Sequence, residues 1–236
     1  MLTYIKFYFF CFNFVIVFHD NKSIFLFIMN IEIKISKKPI DYQIAIDILE
    51  KRLSDVIENK ANELIWILEH NDVYTCGTSG SDHELLDTGT LPSIKTARGG
   101  KWTYHGKGQK IVYFVLNLNK RGKEIKKLVR NVEQWIVGIL NEYSIKSHPD
   151  PTNIGIWVSK NNNDHKIAAI GIKVKKWIAY HGFSINLNVN KKYYKGIVPC
   201  GIVDKGIANF SDIQKLPSED DFNNTIISQF KKIFTN

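Results

Sequence analysis

The apolar and polar positions of the chain alternate between helical and strand periods. In the first half, residues at helical spacing are Ala45, Ile48, Leu49, Leu53 and Val56. The continuous apolar run at residues 64–68 has the length of a buried strand, and residues 111–118 repeat that pattern. The first half therefore predicts a helix followed by strands.

The second half predicts two further helices around three strands. The longer amphipathic helix is predicted by Ile125, Leu128, Val129, Val132, Ile136, Ile139 and Tyr143. Strands are predicted at residues 154–158, 167–174 and 177–189, with a polar hairpin loop at 159–164 between the first two. At the end, Ser218 and Asp221 resemble a capping box, and an apolar stripe follows at Phe222, Ile226, Phe230 and Ile233. We expect an α+β fold, a mixed or antiparallel sheet with flanking helices.

The period of two in the last strands places two polar residues among apolar ones. His181 shares the odd-numbered row with Ala179 and Phe183, and Lys166 shares a row with Ala168 and Ile170. A histidine on an apolar face is either a hydrogen-bonded core residue or a catalytic one. For Lys166 the alternatives are an ammonium that reaches water from the strand end and one that takes part in chemistry.

The N-terminal segment is apolar but unlike a membrane span. Its two apolar runs, at residues 7–18 and 24–29, are each shorter than the roughly 20 residues that cross a bilayer. A small-residue cleavage site of the kind that ends a signal peptide does not appear in the sequence there. We interpret residues 1–28 as an apolar extension from a misplaced start codon, with a membrane-contacting segment as the alternative, and residues 29–236 as a single catalytic domain.

Composition narrows the class of protein further. The 236 residues are 44% hydrophobic and 23% charged, which excludes a disordered, collagen-like or disulfide-scaffold chain. Lys and Arg number 32 against 23 Asp and Glu, so the net charge of +9 favours acidic partners. The three cysteines show no paired spacing, which favours a reducing compartment, and we expect a cytoplasmic protein.

Two segments carry candidate chemistry. Residues 98–109 hold four glycines beside charged and aromatic side chains, without the spacing of a Walker A loop or of G-x-G-x-x-G. Such a segment either lines a narrow pocket with amide donors or forms a plain turn. In Pro199-Cys200-Gly201 the thiol is either partly exposed in a tight turn or a small buried hydrophobe.

Six segments, in order, closely resemble the lipoyl(octanoyl) transferase family. They are Pro39-Ile40-Asp41-Tyr42-Gln43; Glu69-His70 with Val73-Tyr74-Thr75 and Gly77; Arg98-Gly99-Gly100 with Thr103-Tyr104-His105-Gly106 and Gly108-Gln109; Lys166-Ile167-Ala168-Ala169-Ile170-Gly171; His181-Gly182-Phe183 with Asn186; and Val198-Pro199-Cys200-Gly201-Ile202. This family moves an octanoyl group from acyl carrier protein to lipoyl domains, and it is related to the lipoate and biotin protein ligases. The resemblance implies the catalytic fold of those ligases.

The resemblance also implies a set of functional residues. Cys200 matches the cysteine that accepts the acyl group, and Lys166 matches its partner. The substrate-binding segments correspond to Arg98, Gly99, Gly100, Lys101, Trp102, Thr103, Tyr104 and His105, to Ala169, Ile170 and Gly171, and to His181, Gly182 and Phe183. Lys107 departs from the family pattern, because proline is usual there, and residues 159–165 look longer and more polar than the typical hairpin.

The chemistry explains why these residue types are needed. A free cysteine has a pKa of about 8.5, and a nearby ammonium lowers that pKa by stabilising the thiolate. We expect Cys200 to attack the thioester of octanoyl-acyl carrier protein and a lysine of a lipoyl domain to attack the resulting acyl-enzyme. Lys166 handles the protons, with His181 as the alternative, and amides near Gly171 or Gly99-Gly100 bind the oxyanion.

The implied reaction sets the partners and cofactors. The acceptors are the lipoyl domains of 2-oxoacid dehydrogenases and the glycine cleavage H protein. A thioester is already activated, so we expect no ATP, no metal and no other cofactor, and no stable membrane insertion. The alternative is an ATP-dependent lipoate-protein ligase. A basic nucleic-acid-binding module is the more remote alternative, because none of its usual sequence patterns is present.

Overall fold

A mixed sheet of eleven strands forms the body of the protein. The computed structural model describes residues 4–8, 15–19, 23–28, 31–87, 89–198 and 206–234, and its account of the strands before residue 31 concerns their backbone, Ile24 excepted. The strands of the large sheet are β1 (Tyr4–Tyr8), β2 (Val15–His19), β3 (Ser23–Ile28), β4 (Ile31–Ser36), β5 (Glu63–Leu68), β9 (Gln109–Asn117), β10 (His148–Pro149), β11 (Ile156–Lys160), β12 (Asn163–Lys175), β13 (Ile178–Asn186) and β14 (Gly206–Ile207).

The strand order places β9, β13 and β12 side by side in the centre. The full order is β1-β2-β3-β4-β5-β9-β13-β12-β11-β10, and β14 pairs with β12. The described neighbours are antiparallel, except that β4 is parallel to β5 and β14 is parallel to β12. A second sheet of three strands has the order β7 (Ser93–Lys95), β6 (Val73–Cys76) and β8 (Trp102–His105).

Three helices cover the two faces of the large sheet. The helices are α1 (Tyr42–Ile57), α2 (Ile125–Asn141) and α3 (Glu219–Phe234). The main core lies between one face and α2 and α3, and it includes Phe114, Trp135 and Phe183. The second core lies between the other face and α1, and it includes Trp66 and Tyr113. This architecture confirms the predicted α+β class with a mixed sheet and flanking helices.

Local sequence explains where the helices begin. The Asp41 side chain accepts hydrogen bonds from the backbone amides of Gln43 and Ile44, at 2.9 and 3.2 Å, and so caps α1. At α3, the Ser218 hydroxyl accepts from the Asp221 amide at 3.1 Å and donates to the Asp221 carboxylate at 2.6 Å. The capping predicted at Ser218 is therefore present.

Two local predictions differ from the structure. Ile48, which fits the helical stripe of α1, is 37% exposed, because the stripe that reaches the core runs through Leu49 and Leu53 instead. The predicted hairpin loop at 159–164 is also shorter. Strands β11 and β12 pair as far as Lys160 and Asn163, so the connection is the two-residue turn Asn161-Asn162, with φ of 51° and 60°. Asparagine tolerates such positive φ values, which the twist of a tight hairpin requires.

The N-terminal strands extend the large sheet at one edge. Strand β3 pairs with β4 along its whole length, β2 pairs with β3, and β1 pairs with β2. None of the helices in the described part of the chain combines the length and the apolar character needed to cross a membrane.

Candidate active site

A cavity lies between the central strands of the large sheet and the small sheet. Strand β8 faces it with alternate residues: Thr103 and His105 line the cavity, whereas Trp102 and Tyr104 pack into a small core on the opposite side. The period of two in β8 accounts for this division. On that opposite side the Trp102 indole donates to the Ser81 carbonyl and the Tyr104 hydroxyl donates to Asp72.

The structure brings most of the predicted substrate-binding residues together around this cavity. Those that line it are Arg98, Gly100, Lys101, Thr103, His105, Ala169, Ile170, Gly171, His181, Gly182 and Phe183. Gly99 lines an adjoining cavity, and Trp102 and Tyr104 line neither. Three segments that are far apart in sequence thus meet at one place.

The cavity wall also contains residues that sequence reasoning missed. They are Ile111, Tyr113, Ile154 and Ser184. Ile111 and Tyr113 belong to a strand that was predicted, and their common parity indicates a shared face. Which partner that face meets depends on the pairing of β9 with β13 and on the position of β8, and local sequence does not specify either.

Arg98 holds the glycine-rich loop in place. Its guanidinium donates to the Thr75 carbonyl at 2.7 Å, to the Gly99 carbonyl at 2.9 Å and to the Lys101 carbonyl at 2.8 Å. The side chain is buried, and no carboxylate among the described residues pairs with it. Arg98 therefore acts as a clamp on the loop and places a fixed positive charge beside the cavity.

Two buried histidines, His105 and His181, line the cavity, and a third, His70, lies against His105; burial favours the neutral form of each. Burial lowers the pKa of His70 and of His181 to about 4, and it holds the pKa of His105 well below its usual range. The charge of Arg98 lowers the pKa of His181 and of His105 further. A neutral imidazole offers one donor and one acceptor nitrogen. His70 uses both, because Nδ1 donates to the Ile40 carbonyl at 2.9 Å and Nε2 accepts from the Tyr113 hydroxyl at 2.8 Å.

His181 stands apart from the other histidines in conformation and in partners. Its φ is +66°, in the left-handed region, and neither ring nitrogen has a hydrogen-bond partner among the described residues, although both are buried. The ring stacks on Tyr180, with centroids 4.6 Å apart, and meets Tyr113 edge-on at 6.3 Å. A buried, unpaired imidazole on a strained backbone is typical of a functional position.

The predicted orientation of His181 is wrong. Alternation along β13 places it with Ala179 and Phe183, which lie in the main core. Its ring instead contacts Tyr180 and Tyr113, both of which belong to the second core. The positive φ interrupts the alternation of the strand and turns the side chain to the cavity side.

Lys166 lines the adjoining cavity, which the first cavity meets at Gly100, Lys101, Ile154, Ile170 and Gly171. Lys166 is 5% exposed; its Nζ donates to the Ile154 carbonyl at 3.1 Å and lies 4.7 Å from the centroid of the Trp157 ring. The ammonium is thus buried at the strand rather than extended to water. Asp and Glu are absent from the described residues that line the two cavities.

A second buried lysine shows what is unusual about Lys166. Lys110 is also buried, but its Nζ lies 3.4 Å from the Glu69 carboxylate and 2.9 Å from the Glu219 carboxylate. Lys166 forms no ion pair with any residue that the structure describes. A buried ammonium normally takes an acidic partner, and the described residues supply none to Lys166.

Cys200 lies outside the described residues, but the chain on both sides of its segment is anchored near the site. Before the segment, the Val198 amide donates to the Glu84 carbonyl at 2.7 Å. After it, Ile207 of β14 pairs with Lys166, and the Ala208 amide donates to the Lys166 carbonyl at 3.0 Å. The described residues hold no group of three or more His, Cys, Asp or Glu side chains suited to a metal ion.

Comparison with known proteins identifies the family. The sequence profile described as lipoyl protein ligase A/B catalytic domain matches residues 41–231. An octanoyltransferase of Ehrlichia canis (strain Jake) is 41% identical over 206 residues, covering 87% of this chain and 96% of that protein. An octanoyltransferase of Ehrlichia chaffeensis (strain ATCC CRL-10679 / Arkansas) is 43% identical over 207 residues, covering 87% and 97%.

Solved structures share the fold at low sequence identity. A bipartite lipoate protein ligase of Thermoplasma acidophilum superposes with a TM-score of 0.61 at 14% identity, covering 79% of this chain and 80% of that one. P. falciparum LipL1 in complex with lipoate gives 0.63 at 15% identity, covering 87% and 62%. These similarities confirm the predicted ligase-like catalytic fold. On the strength of its sequence relatives, the chain belongs to the lipoyl protein ligase A/B catalytic-domain family and is an acyltransferase of the octanoyltransferase group.

Proposed function

We propose that the protein transfers an octanoyl group from acyl carrier protein to a lysine of a lipoyl domain, through a thioester on Cys200. The acceptors are the lipoyl domains of 2-oxoacid dehydrogenases and the glycine cleavage H protein, and the reaction is the first step of lipoate biosynthesis. The three cysteines show no paired spacing in the sequence, which favours a reducing compartment, so we propose that the reaction takes place in the cytoplasm.

The buried ammonium of Lys166, which forms no ion pair with a described residue, is the observation that carries this proposal. A thiolate needs a nearby positive charge to form at neutral pH, and Lys166 has no carboxylate partner among the described residues to neutralise it. The Cys200 segment is followed directly by β14, which pairs with β12 at Lys166. In this proposal Cys200 and Lys166 form a nucleophile and proton-transfer pair.

The first half of the reaction acylates the enzyme. The Cys200 thiolate attacks the thioester carbonyl of the carrier, forming a new carbon–sulfur bond and an oxyanion. The oxyanion collapses, the carbon–sulfur bond to the carrier breaks, and the departing sulfur takes a proton from the Lys166 ammonium. Backbone amides near Gly171 or in the Gly99-Gly100 loop are the donors proposed for the oxyanion.

The second half passes the octanoyl group to the acceptor. The uncharged ε-amine of the lipoyl-domain lysine attacks the Cys200 thioester, and a carbon–nitrogen bond forms. The carbon–sulfur bond to Cys200 then breaks, the Cys200 thiolate is restored, and Lys166 takes the proton that the new amide nitrogen loses. Since the thioester supplies the activated acyl group, neither half needs ATP.

The chemistry of the two cavities fits an acyl thioester. Their walls combine apolar side chains such as Ile111, Ile170 and Phe183 with a few cationic or neutral polar groups. An octanoyl chain buries its methylenes against such a wall, each contributing about 0.8 kcal/mol. The described residues of the wall include no carboxylate, which also suits the developing oxyanion, because they place no negative charge beside it.

Intact-mass measurement tests the covalent route. Wild type, Cys200→Ser and Lys166→Ala are incubated with octanoyl-acyl carrier protein in the absence of ATP, and a lipoyl domain is then added. We expect the wild type to gain one octanoyl mass that hydroxylamine removes and the lipoyl domain accepts. Cys200→Ser gains no hydroxylamine-labile mass, and Lys166→Ala is acylated at least about a hundredfold more slowly.

The same experiment separates the transferase from a ligase. If no adduct forms on the wild type and transfer requires ATP with free octanoate or lipoate, the protein is an ATP-dependent ligase. Cys200 then has no role as a nucleophile. If the adduct forms equally in Lys166→Ala, the pairing proposed here is wrong and His181 becomes the candidate for proton transfer.

A further inference from the structure

A separate basic groove, which we call the docking groove, lies on the face that carries β14. It encloses about 550 Å³ between the chain that follows α2, the β11–β12 hairpin and β14. Its rim and walls include Lys146, Lys160, His165, Lys191, Ile207 and Ile213. The described residues that line it are not shared with either cavity of the active site.

The docking groove is positively charged over an apolar base. Lys146 and Lys160 are exposed and form no ion pair with any described residue, while Lys191 pairs with Asp212 at 2.9 Å. Asp212 is the one acidic residue among the described lining residues, against three lysines. Ile213 remains 43% exposed at its edge. This pairing of cations with apolar surface is complementary to an acidic surface that carries apolar side chains.

The docking groove includes residues from the chain on both sides of the Cys200 segment, residues 199–205. Lys191 opens the 3-10 helix Lys191–Gly196, which leads to residues 199–205, and Ile207 belongs to the strand that follows them. Ile207 and Gly206 pair with Lys166 and His165 of β12. A protein held in the docking groove therefore contacts the described chain that flanks residues 199–205 on each side, and it occupies neither active-site cavity.

We propose that the docking groove receives an acidic, partly apolar surface of the acyl carrier protein that donates the octanoyl group. This inference rests on the proposed function and adds to it the place where the donor binds. The charge of the groove raises the rate at which an acidic donor associates and fixes its orientation.

The separation between groove and cavity favours the donor over the acceptor. A carrier protein presents its acyl group on a long flexible prosthetic arm, so its body can bind at a distance from the reacting atoms. An acceptor presents only a lysine side chain, so its body must lie directly at the cavity mouth. A docking site that shares no described lining residue with the cavity therefore fits a partner with the longer reach.

Charge reversal at the docking groove tests the proposal. The double variant Lys146→Glu/Lys160→Glu is compared with wild type and with Lys120→Glu/Lys127→Glu. The control pair lines a different surface groove beside α2 and changes the net charge equally. Two rates are measured by intact mass. The first is acylation of the enzyme by octanoyl-acyl carrier protein, and the second is transfer of the octanoyl group from the acylated enzyme to a lipoyl domain.

We expect the docking-groove variant to be acylated about tenfold more slowly at low salt, with a weaker salt dependence than wild type. Its deacylation by the lipoyl domain stays within about twofold of wild type, and the control pair keeps both rates. The inference is overturned if acylation is unchanged, if both variants slow equally, or if only deacylation slows, in which case the groove binds the acceptor. Failure of wild type to be acylated by octanoyl-acyl carrier protein would instead refute the proposed function itself.

Discussion

At the scale of single residues, His181 combines three features that rarely occur together. Its backbone is left-handed, its imidazole is buried at the cavity, and neither ring nitrogen finds a partner among the described residues. Each feature opposes folding, since an L-residue in the left-handed region costs about 1–2 kcal/mol and an unpaired buried polar group costs about 1–3 kcal/mol. Such a residue is retained where function requires it.

The backbone of His181 leads to a reversal of the usual preference between glycine and alanine. In a strand, alanine is ordinarily the more stabilising residue by about 0.5–1 kcal/mol. At φ of +66° only glycine avoids a Cβ penalty. We therefore expect the free energy of unfolding of His181→Gly to exceed that of His181→Ala by about 1 kcal/mol, with a higher urea midpoint. The measurement is equilibrium urea unfolding of both variants. Greater stability of the alanine variant would contradict the left-handed conformation.

The neutral histidines make stability depend on pH in a defined direction. His70 and His181 have pKa values of about 4 in the folded protein, below the ordinary 6.5. As the pH falls, the unfolded chain therefore binds protons first. The stabilising contribution is complete above about pH 6.5 and is lost as the pH falls towards 4, at up to about 1.4 kcal/mol per pH unit for each histidine.

Replacement of one histidine isolates its part of this slope. We expect His181→Asn, which tolerates the positive φ, to lose less free energy of unfolding than wild type between pH 6.5 and 5. Urea unfolding at several pH values measures both slopes, and carboxylates contribute equally to each. Identical slopes would show that His181 is not held neutral in the folded protein.

At the scale of elements, the close approach of β9 to β13 explains why position 182 is a glycine, a residue that the sequence analysis placed in the substrate-binding set. A Cβ on Gly182 would lie 1.9 Å from the carbonyl oxygen of Val112 on β9. A Cβ on Gly171 would meet the Gly99 carbonyl oxygen at 3.4 Å and Arg98 Cδ at 3.5 Å, which are ordinary contacts. Both glycines line the cavity, but strand packing already requires the first.

Alanine at these two glycines should therefore give different defects. We expect Gly182→Ala to destabilise the protein by about 3 kcal/mol, because the clash is with backbone that side-chain rotation does not relieve. Gly171→Ala should keep the unfolding midpoint of wild type but slow acylation, because the methyl group narrows the cavity. Thermal unfolding and the acylation rate distinguish the two. Equal stability of both variants would contradict the close approach of β9 and β13.

Element-scale sequence patterns were informative where packing is local. The stripe at Leu49 and Leu53 and the capping at Ser218 depend on neighbours within a few residues, and the structure has both. The orientation of His181 was predicted wrongly because a left-handed residue turns its own side chain out of the alternation, which Ala179 and Phe183 on either side keep. That conformation is imposed by strand neighbours and is not encoded in local polarity.

At the scale of the whole molecule, the N-terminal strands lie at one edge of the large sheet, and the Ile24 side chain of β3 packs against the main core. Strands β1 to β3 extend the sheet beyond β4. The division of the chain into residues 1–28 and a catalytic domain of residues 29–236 remains a prediction.

A chain that starts at Met29 tests this division. We expect it to unfold within about 4 °C of the full chain, which corresponds to about 1 kcal/mol for a domain of this size, and to be acylated at the same rate. Differential scanning calorimetry and intact-mass kinetics measure the two properties. Loss of folding or of acylation in the shortened chain would make residues 1–28 part of the domain.

The sequence by itself determined the α+β class, the positions of the helices and central strands, and the three segments that meet at the cavity. Hydrophobic periodicity and short motifs are local properties of the sequence, so they can be recognised without knowledge of strand pairing. Only the tertiary structure decided that Trp102 and Tyr104 face away from the cavity and that Tyr113 and Ile154 line it. It alone showed that Lys166 is buried with no carboxylate partner among the described residues, whereas Lys110 has two. These depend on which residues, distant in sequence, are neighbours in space, and the register and crossing of the sheets set those neighbours.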